Sequence, residues 1–274
     1  MRFTTGLLLL LSAAPLFTQA AYSQRTVVES LSITSDSSVS SQHLQQIEQE
    51  IRKHDYPPDA GQEIAQRANY ELQKDGYFQA ETSIAKIQVL SDSPARPAVA
   101  VTLRINQGQQ FRLKQIVFQN NKVFSSAQLR AEFLIADGDV FDAEKIRKGF
   151  EALRVAYQEK GYINVVPVPG TVADQSGWVK LIVDMDEGAQ FTMESFELQG
   201  REEWPPDKAE KVLNIWRPYA EHVYNPRIIE QIQQAMMELF PGISSDDALP
   251  AIRQNPERKA VDIELSLPAT LTAK

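Results

Sequence analysis

Apolar and polar residues alternate with a period of two in three separated stretches of this chain. Val99, Val101, Leu103 and Ile105 share one side of the first, Val179, Leu181, Val183 and Met185 one side of the second, and Val261, Ile263, Leu265 and Leu267 one side of the third. Successive side chains of an extended chain point to opposite faces, so each stretch predicts a strand with one buried and one wet face. Two of these strands run into similar segments, Ile105-Asn106-Gln107-Gly108-Gln109-Gln110-Phe111 and Met185-Asp186-Glu187-Gly188-Ala189-Gln190-Phe191, whose Gly, Gln and Phe coincide at an offset of 80. An internal repeat dictates the architecture, so it orders everything that follows.

Ahead of each alternating stretch the period lengthens to that of a helix. In the middle repeat Asp142 is a good N-cap, Ile146, Phe150, Leu153 and Tyr157 form one apolar face, and Lys160-Gly161-Tyr162 stops the helix at a glycine. The first repeat has Asp59 with Gln62 as a capping box, a face of Ala65, Ala68 and Leu72, and the stop Lys74-Asp75-Gly76-Tyr77. The third has Asn225-Pro226, then Ile229, Ile232, Met236 and Phe240, and ends differently, at Pro241-Gly242-Ile243. An earlier helix is signalled in each: Leu44, Ile47 and Ile51; Leu129, Phe133 and Leu134 behind a Ser125/Gln128 capping box; Val212, Ile215 and Trp216. Opening strands are expected at Val27 to Ile33, Phe111 to Gln119 and Phe191 to Leu198, with Ser35 to Ser41 a polar link inside the first repeat.

The predicted fold class is therefore α+β: three tandem β-α-α-β-β modules, each a three-stranded sheet covered by two helices. Expected boundaries are 24–107, 108–188 and 189–268, the last divergent, with a tail at 269–274. Modules of this size hold modest cores, close to the lower limit for unaided folding.

Residues 1–23 read as a secretory signal: Arg2, an apolar stretch from Gly6 to Phe17, and small residues around Ala20 and Ser23. Ser12, Pro15 and Thr18 leave the stretch short of the roughly 20 apolar residues that span a bilayer. Export from the cytoplasm follows. Apolar residues make up 43% and charged residues 23%, an ordinary globular balance. Net charge is −8, or −9 without Arg2, which disfavours nucleic acid as a partner. The absence of cysteine excludes disulfides, thiolate metal sites and a Cys nucleophile.

The segment from Gln110 to Gly200 resembles a POTRA domain, the polypeptide-transport-associated module of BamA-type outer-membrane assembly and two-partner secretion proteins. The resemblance rests on the strand Phe111 to Phe118 before Asn120-Asn121, on Gly138-Asp139-Val140-Phe141-Asp142 leading into the second helix, on the helix end from Tyr157 to Tyr162, and on the exit Asp186-Glu187-Gly188. It implies an array of protein-binding modules without the β-barrel of BamA-type proteins, or a fragment of a longer protein that carries one. It also implies that the penultimate strand of each module is an edge that takes up an extended peptide.

The three candidate edges differ. Ile163-Asn164-Val165-Val166 runs into Pro167 and Pro169, which withhold donors, and the third, around Ala248 to Ile252, contains Pro250. The first, Phe78 to Val89, has no proline, so Phe78, Ala80, Thr82, Ile84, Ile87 and Val89 form the candidate peptide-binding edge. Expected partners are unfolded or extended polypeptides and outer-membrane β-barrel proteins. Basic residues at Arg104, Arg112, Lys114 and Lys122, and at Lys145, Arg147 and Lys148, leave a weak membrane-surface contact as a second reading.

No catalytic, cofactor or metal site is expected. His43, His54 and His222 have no carboxylate at a triad or metal spacing. The Asp184 to Gly188 run lacks the bidentate Glu of a calcium loop, since Ser195 stands in that position. Trp204 and Trp216 are candidates for exposed anchors, with a core role favoured for Trp216. The expected function is a non-catalytic array assisting assembly or transport of outer-membrane or exported polypeptides by β-augmentation. The alternatives are an envelope or cell-division scaffold, a fragment of an insertase and, from another class, a secreted enzyme with a dispersed site.

Overall fold

The computed structural model describes residues 25–35, 39–57, 60–93 and 97–266. The signal segment, Asp59, Leu267 and the tail lie outside the described residues. The first module comprises β1 (Thr26–Ser35), α1 (Ser41–Arg52), β2 (Asp55–Tyr56), α2 (Gly61–Lys74), β3 (Glu81–Ser91) and β4 (Ala98–Asn106). The second comprises β5 (Arg112–Gln119), α3 (Ser126–Ala131), α4 (Ala143–Gln158), β6 (Val166–Ala173) and β7 (Trp178–Asp186). The third comprises β8 (Thr192–Gln199), α5 (Pro206–Trp216), α6 (Arg227–Leu239), β9 (Ala251–Asn255) and β10 (Ala260–Ser266). The predicted order β-α-α-β-β is present three times.

The sheets run β2-β1-β4-β3, β5-β7-β6 and β8-β10-β9. In each, the first and last strands pair in parallel, joined by the two-helix crossover that parallel neighbours require. The penultimate strand lies outside the last one, antiparallel to it in the second and third sheets. The first sheet has four strands rather than the predicted three. The residues just ahead of the second helix lie beside the start of the first strand, making two pairs in the first module (Thr26↔Tyr56, Val27↔Asp55). In the others the same contact shrinks to single bridges, Arg112↔Val140 and Thr192↔Val223.

The chain forms two compact bodies. One holds Ser40–Ala68 and Thr82–Ile105 together with β1; the other holds Asn69–Glu81 and everything described from Asn106 onward. In the first body Val28, Ile47, Ile51, Ile64, Val101, Leu103 and Ile105 are buried. The second body has one apolar cluster per module. Leu113, Leu129, Leu153, Tyr157, Leu181 and Val183 belong to one, and Met193, Val212, Ile228, Ile232, Met236 and Ile263 to the other. Among the described residues the alternating apolar positions of the last strands are all buried, as their period requires.

Two helix faces differ from expectation. The Ser125/Gln128 capping box forms, with Ser125 Oγ accepting from Gln128 N–H and the Gln128 side chain from Ser125 N–H, but α3 stops after six residues. Beyond it the Arg130 guanidinium donates to the carbonyls of Phe133 (3.1 Å) and Ile135 (2.6 Å), holding the chain extended. The period there is two, so Phe133 and Ile135 are buried while Leu134, expected inside, is 81% exposed. In α6 the buried row is Ile228, Ile232, Met236 and Phe240. Ile229, expected in that row, flanks it; Asn225 Oδ1 accepts from Arg227 N–H (3.0 Å), and the helix begins at Arg227, after Pro226 rather than with it. Both tryptophans named as possible anchors are core residues: Trp204 donates its indole N–H to Gln199 O (3.0 Å), and Trp216 stacks on Phe196 with ring centroids 5.6 Å apart. No helix among the described residues is long and apolar enough to cross a membrane.

Candidate peptide-binding edges

Each sheet has two edges, and the first-strand edge is obstructed at its start. The parallel register slips between Val28 and Ser30 and between Leu113 and Gln115, and on the β10 side between Val261 and Asp262, bulging out Glu29, Lys114 and Glu194 at the same point of each module. A bulged charged residue beside a capping bridge blunts an edge against further pairing. The other edge is the penultimate strand.

In the first sheet that strand is β3, eleven residues without proline. Thr82, Ile84, Ile87 and Val89 lie in it; Phe78 and Ala80, also expected there, do not. Ala80 N–H bonds Tyr77 O (2.9 Å) in the turn before the strand, and Ala80 is buried. The Phe78 ring packs edge-on to Phe111 and Phe141, with centroids 4.6 and 5.5 Å away. Expectation failed here because the chain after Gly76 turns once more before it extends.

Thr82 Oγ1 donates to Ala65 O on α2. The Ile84 and Ile87 side chains reach the start of that helix, 3.3 and 3.1 Å from where a Cβ on Gly61 would stand. The missing side chain at Gly61 thus lets the start of α2 approach the edge strand. Further along, the strand becomes open: Ile87, Val89 and Leu90 are 41, 64 and 47% exposed.

The second edge, β6, does not stop at its prolines but carries both within the strand, as Pro167↔Met185 and Pro169↔Val183. Prolines two apart face the same way, and a ladder with β7 survives only if both nitrogens point outward. Two of the outward donors of β6 are therefore missing. Beside this strand lies a groove of about 440 Å3 lined by Phe78, Phe141, Ile146, Phe150, Pro167 and Pro169, with Arg147, Glu151 and Arg154. The third edge, β9, begins after Pro250 instead of containing it, so its five residues are free of proline. Its Gln254 accepts a hydrogen bond from the Asn164 side chain (3.0 Å).

The helix-stop glycines, together with the Gln and Phe that repeat in the sequence, have a structural task within the second body. Gly76 and Gly161 adopt left-handed φ of 85° and 78°. Their carbonyls each accept the N–H of the repeated Phe, Phe111 and Phe191, at 2.9 Å. Gln110 Nε2 donates to Asp75 O (2.8 Å) and Gln190 Nε2 to Lys160 O (3.0 Å), so each Gln satisfies a carbonyl left over at a helix end. Between the second and third modules Glu187 ties three segments together. Its Oε1 accepts from Lys122 N–H (2.8 Å), Val123 N–H (3.0 Å) and the Tyr157 hydroxyl (2.7 Å). Burial pushes the Glu187 carboxyl up, but the Val123 N–H, the Tyr157 phenol and the Lys122 N–H outweigh it, and the net direction is down. Burial and then the Glu187 carboxylate push the Tyr157 phenol up.

The basic group at Lys145, Arg147 and Lys148 is largely compensated. Arg147 pairs with Glu144 (2.7 Å) and Glu151, and Lys148 with Glu144 (3.3 Å). The Arg147 guanidinium, followed by the Tyr70 hydroxyl, holds the Glu144 carboxyl at about 2. Among the described residues no cluster of three His, Asp or Glu side chains is placed to hold a metal ion.

A small sheet with parallel first and last strands, two crossover helices and the penultimate strand at its edge defines the class of module. Residues 111–188 match the POTRA family, described as "Surface antigen variable number repeat", so the second module is a POTRA domain. Across all three modules the fold is that of tandem POTRA domains. BamA POTRA3-5 of Haemophilus influenzae superimposes with a TM-score of 0.63 at 19% identity, over 89% of this chain and 96% of that one. A putative outer membrane protein assembly factor of Treponema pallidum (strain Nichols) is 30% identical over 88 residues, which is 32% of this chain and 10% of that protein. The resemblance drawn from the sequence is thereby borne out.

Proposed function

We propose that the chain is a non-catalytic periplasmic array that takes part in the assembly or transport of outer-membrane or exported polypeptides. In this reading it accepts an extended segment of its client along the free edge of β3. The observation that supports this most is the edge itself: eleven residues without a proline, outermost in its sheet, with apolar Ile87, Val89 and Leu90 exposed beside it. A long edge with exposed apolar side chains is an aggregation hazard unless it has a partner, and an extended chain supplies one by pairing with the waiting N–H and C=O groups. Affinity then comes from main-chain hydrogen bonds of about 1 kcal/mol net each and depends little on client sequence. That suits a protein serving many clients. The POTRA match and the likeness in fold to a periplasmic part of BamA support the outer-membrane context.

Consecutive N–H groups of a strand point to opposite sides, so Ile84→Pro and Ala85→Pro separate the inner ladder from the outer edge. One variant removes a donor from the β4 ladder and destabilises the module. The other removes an outward donor, stays folded, and should bind a fluorescent synthetic strand of an outer-membrane β-barrel about tenfold more weakly. Equal binding by a folded variant of each kind would exclude β3 as the site.

A further inference from the structure

The helices of the second module cover one face of its sheet, and the opposite face is open. The pairing register places the side chains of that open face in rows. Ile182 sits in the middle of β7 with Val117 of β5 on one side and Gly170 of β6 on the other. Two residues back along β7 comes Lys180, paired with Val172; two residues forward comes Asp184, paired with Val168. Val168 and Val172 are 54 and 59% exposed. An apolar centre is thus flanked by a cation at one end and an anion at the other, symmetrically about Ile182.

Neither charge has an opposite partner among the described residues. Asp184 accepts only the Asn120 amide (2.6 Å), and Lys180 forms no ion pair. The separation from Lys180 to Asp184 is about 13 Å at 3.3 Å per residue. A two-fold axis through the Ile182 row would lay Lys180 of one copy on Asp184 of another, and Asp184 on Lys180, while Val117, Val168, Val172 and Ile182 close on their counterparts. Gly170, beside Ile182 and without a side chain, leaves a recess in the same row. A surface that is its own complement under a two-fold is what an isologous dimer needs.

We infer that this sheet face is a self-association surface, and that two copies of the chain pair through it face to face in antiparallel fashion. The inference is independent of the peptide edge on β3, which lies in the other compact body. Three strands about 4.8 Å apart by six residues make a patch of roughly 14 by 20 Å. The two patches together span roughly 560 Å2 in projection, below a standard interface even with some gain from interdigitating side chains, so the dimer should be weak, with Kd on the order of 100 μM.

Sedimentation equilibrium of the full chain at low salt tests this. The wild type should dimerise, more weakly as salt is raised. Lys180→Asp and Asp184→Lys, each at an exposed or half-buried position and checked by circular dichroism, should each weaken the dimer at least about tenfold, because each puts two like-charge contacts into one interface. An equimolar mixture of the two variants should dimerise again, and so should the double variant, since both restore opposite charges across the two-fold. A wild type still monomeric at about 1 mM would overturn the inference. So would single variants that weaken association without rescue in the mixture, and a monomer that instead sediments with anionic lipid vesicles through Lys180.

Discussion

Replacing Gly161 with alanine tests how the repeated joint works. Three costs can be read from the structure. A left-handed backbone, here φ 78°, costs a residue with a Cβ about 1–2 kcal/mol. The new Cβ would stand 2.6 Å from Val223 Cγ1 and 2.9 Å from Phe191 O. Val223 is a surface side chain and can swing aside. Phe191 cannot, because its N–H is bonded to Gly161 O and its O to Tyr224 N–H, both at 2.9 Å. Retreat would stretch those two bonds, worth about 1 kcal/mol each. The expected loss is about 2–4 kcal/mol, falling on the third module and its attachment. Denaturant unfolding followed by tryptophan fluorescence resolves it, since Trp204 and Trp216 report the third module and Trp178 the second. Gly170→Ala is the control: its nearest neighbour, Ile182 O, is 3.9 Å away, and the change should stay within about 0.5 kcal/mol. If Gly161→Ala unfolds like Gly170→Ala, the joint does not depend on this close approach and the reasoning is wrong.

The same substitution at Gly76, where the Cβ would lie 2.5 Å from Val140 Cγ1 and 2.9 Å from Phe111 O, should destabilise by a similar amount, and a difference of several-fold would show that the two joints are not equivalent. Because the folded Glu187 carboxyl is held below its unfolded value, its contribution is present above the unfolded pKa and disappears as pH falls through the folded one. Wild type should therefore lose more stability than Glu187→Gln on acidification below the ordinary carboxylate range, and parallel pH curves would remove Glu187 from that role. Ser125→Ala deletes one arm of the capping box on a six-residue helix and should cost about 1 kcal/mol, read as faster amide exchange in α3 with β7 unchanged. Arg130→Met frees the Phe133 and Ile135 carbonyls and should cost about 1–2 kcal/mol by thermal unfolding; no change would mean that water replaces the guanidinium freely.

The last strands of the modules were legible because their alternation is long and both neighbours are buried partners, so period two survives intact from Val179 to Met185. The Gly-Gln-Phe repeat was legible as a pattern but not as a device. That Gln110 and Gln190 reach back to helix-end carbonyls thirty or more residues away depends on chain reversal, which spacing alone does not reveal. Leu134 was misplaced because a helical phase was carried past Ala131, where the Arg130 side chain imposes extended backbone. The two-residue β2 is too short to leave a period at all. The edges were the least legible part. Pro167 and Pro169 mark interruption in a sequence, yet an edge strand tolerates proline whenever its nitrogen faces outward, and β6 runs through both. Phe78 and Ala80 were assigned to β3 on composition, while Phe78 is held in the preceding turn against Phe111 and Phe141, which lie far along the chain.

The central claim is that an incoming chain adds itself to β3 as a further strand. Hydrogen–deuterium exchange with and without a synthetic outer-membrane barrel strand tests it directly. Addition at β3 should slow exchange at alternate amides between Glu81 and Ser91, those facing outward, and leave β6 and β9 as they were. Protection that appears instead in β6 and along α4, or nowhere in β3, would contradict the account.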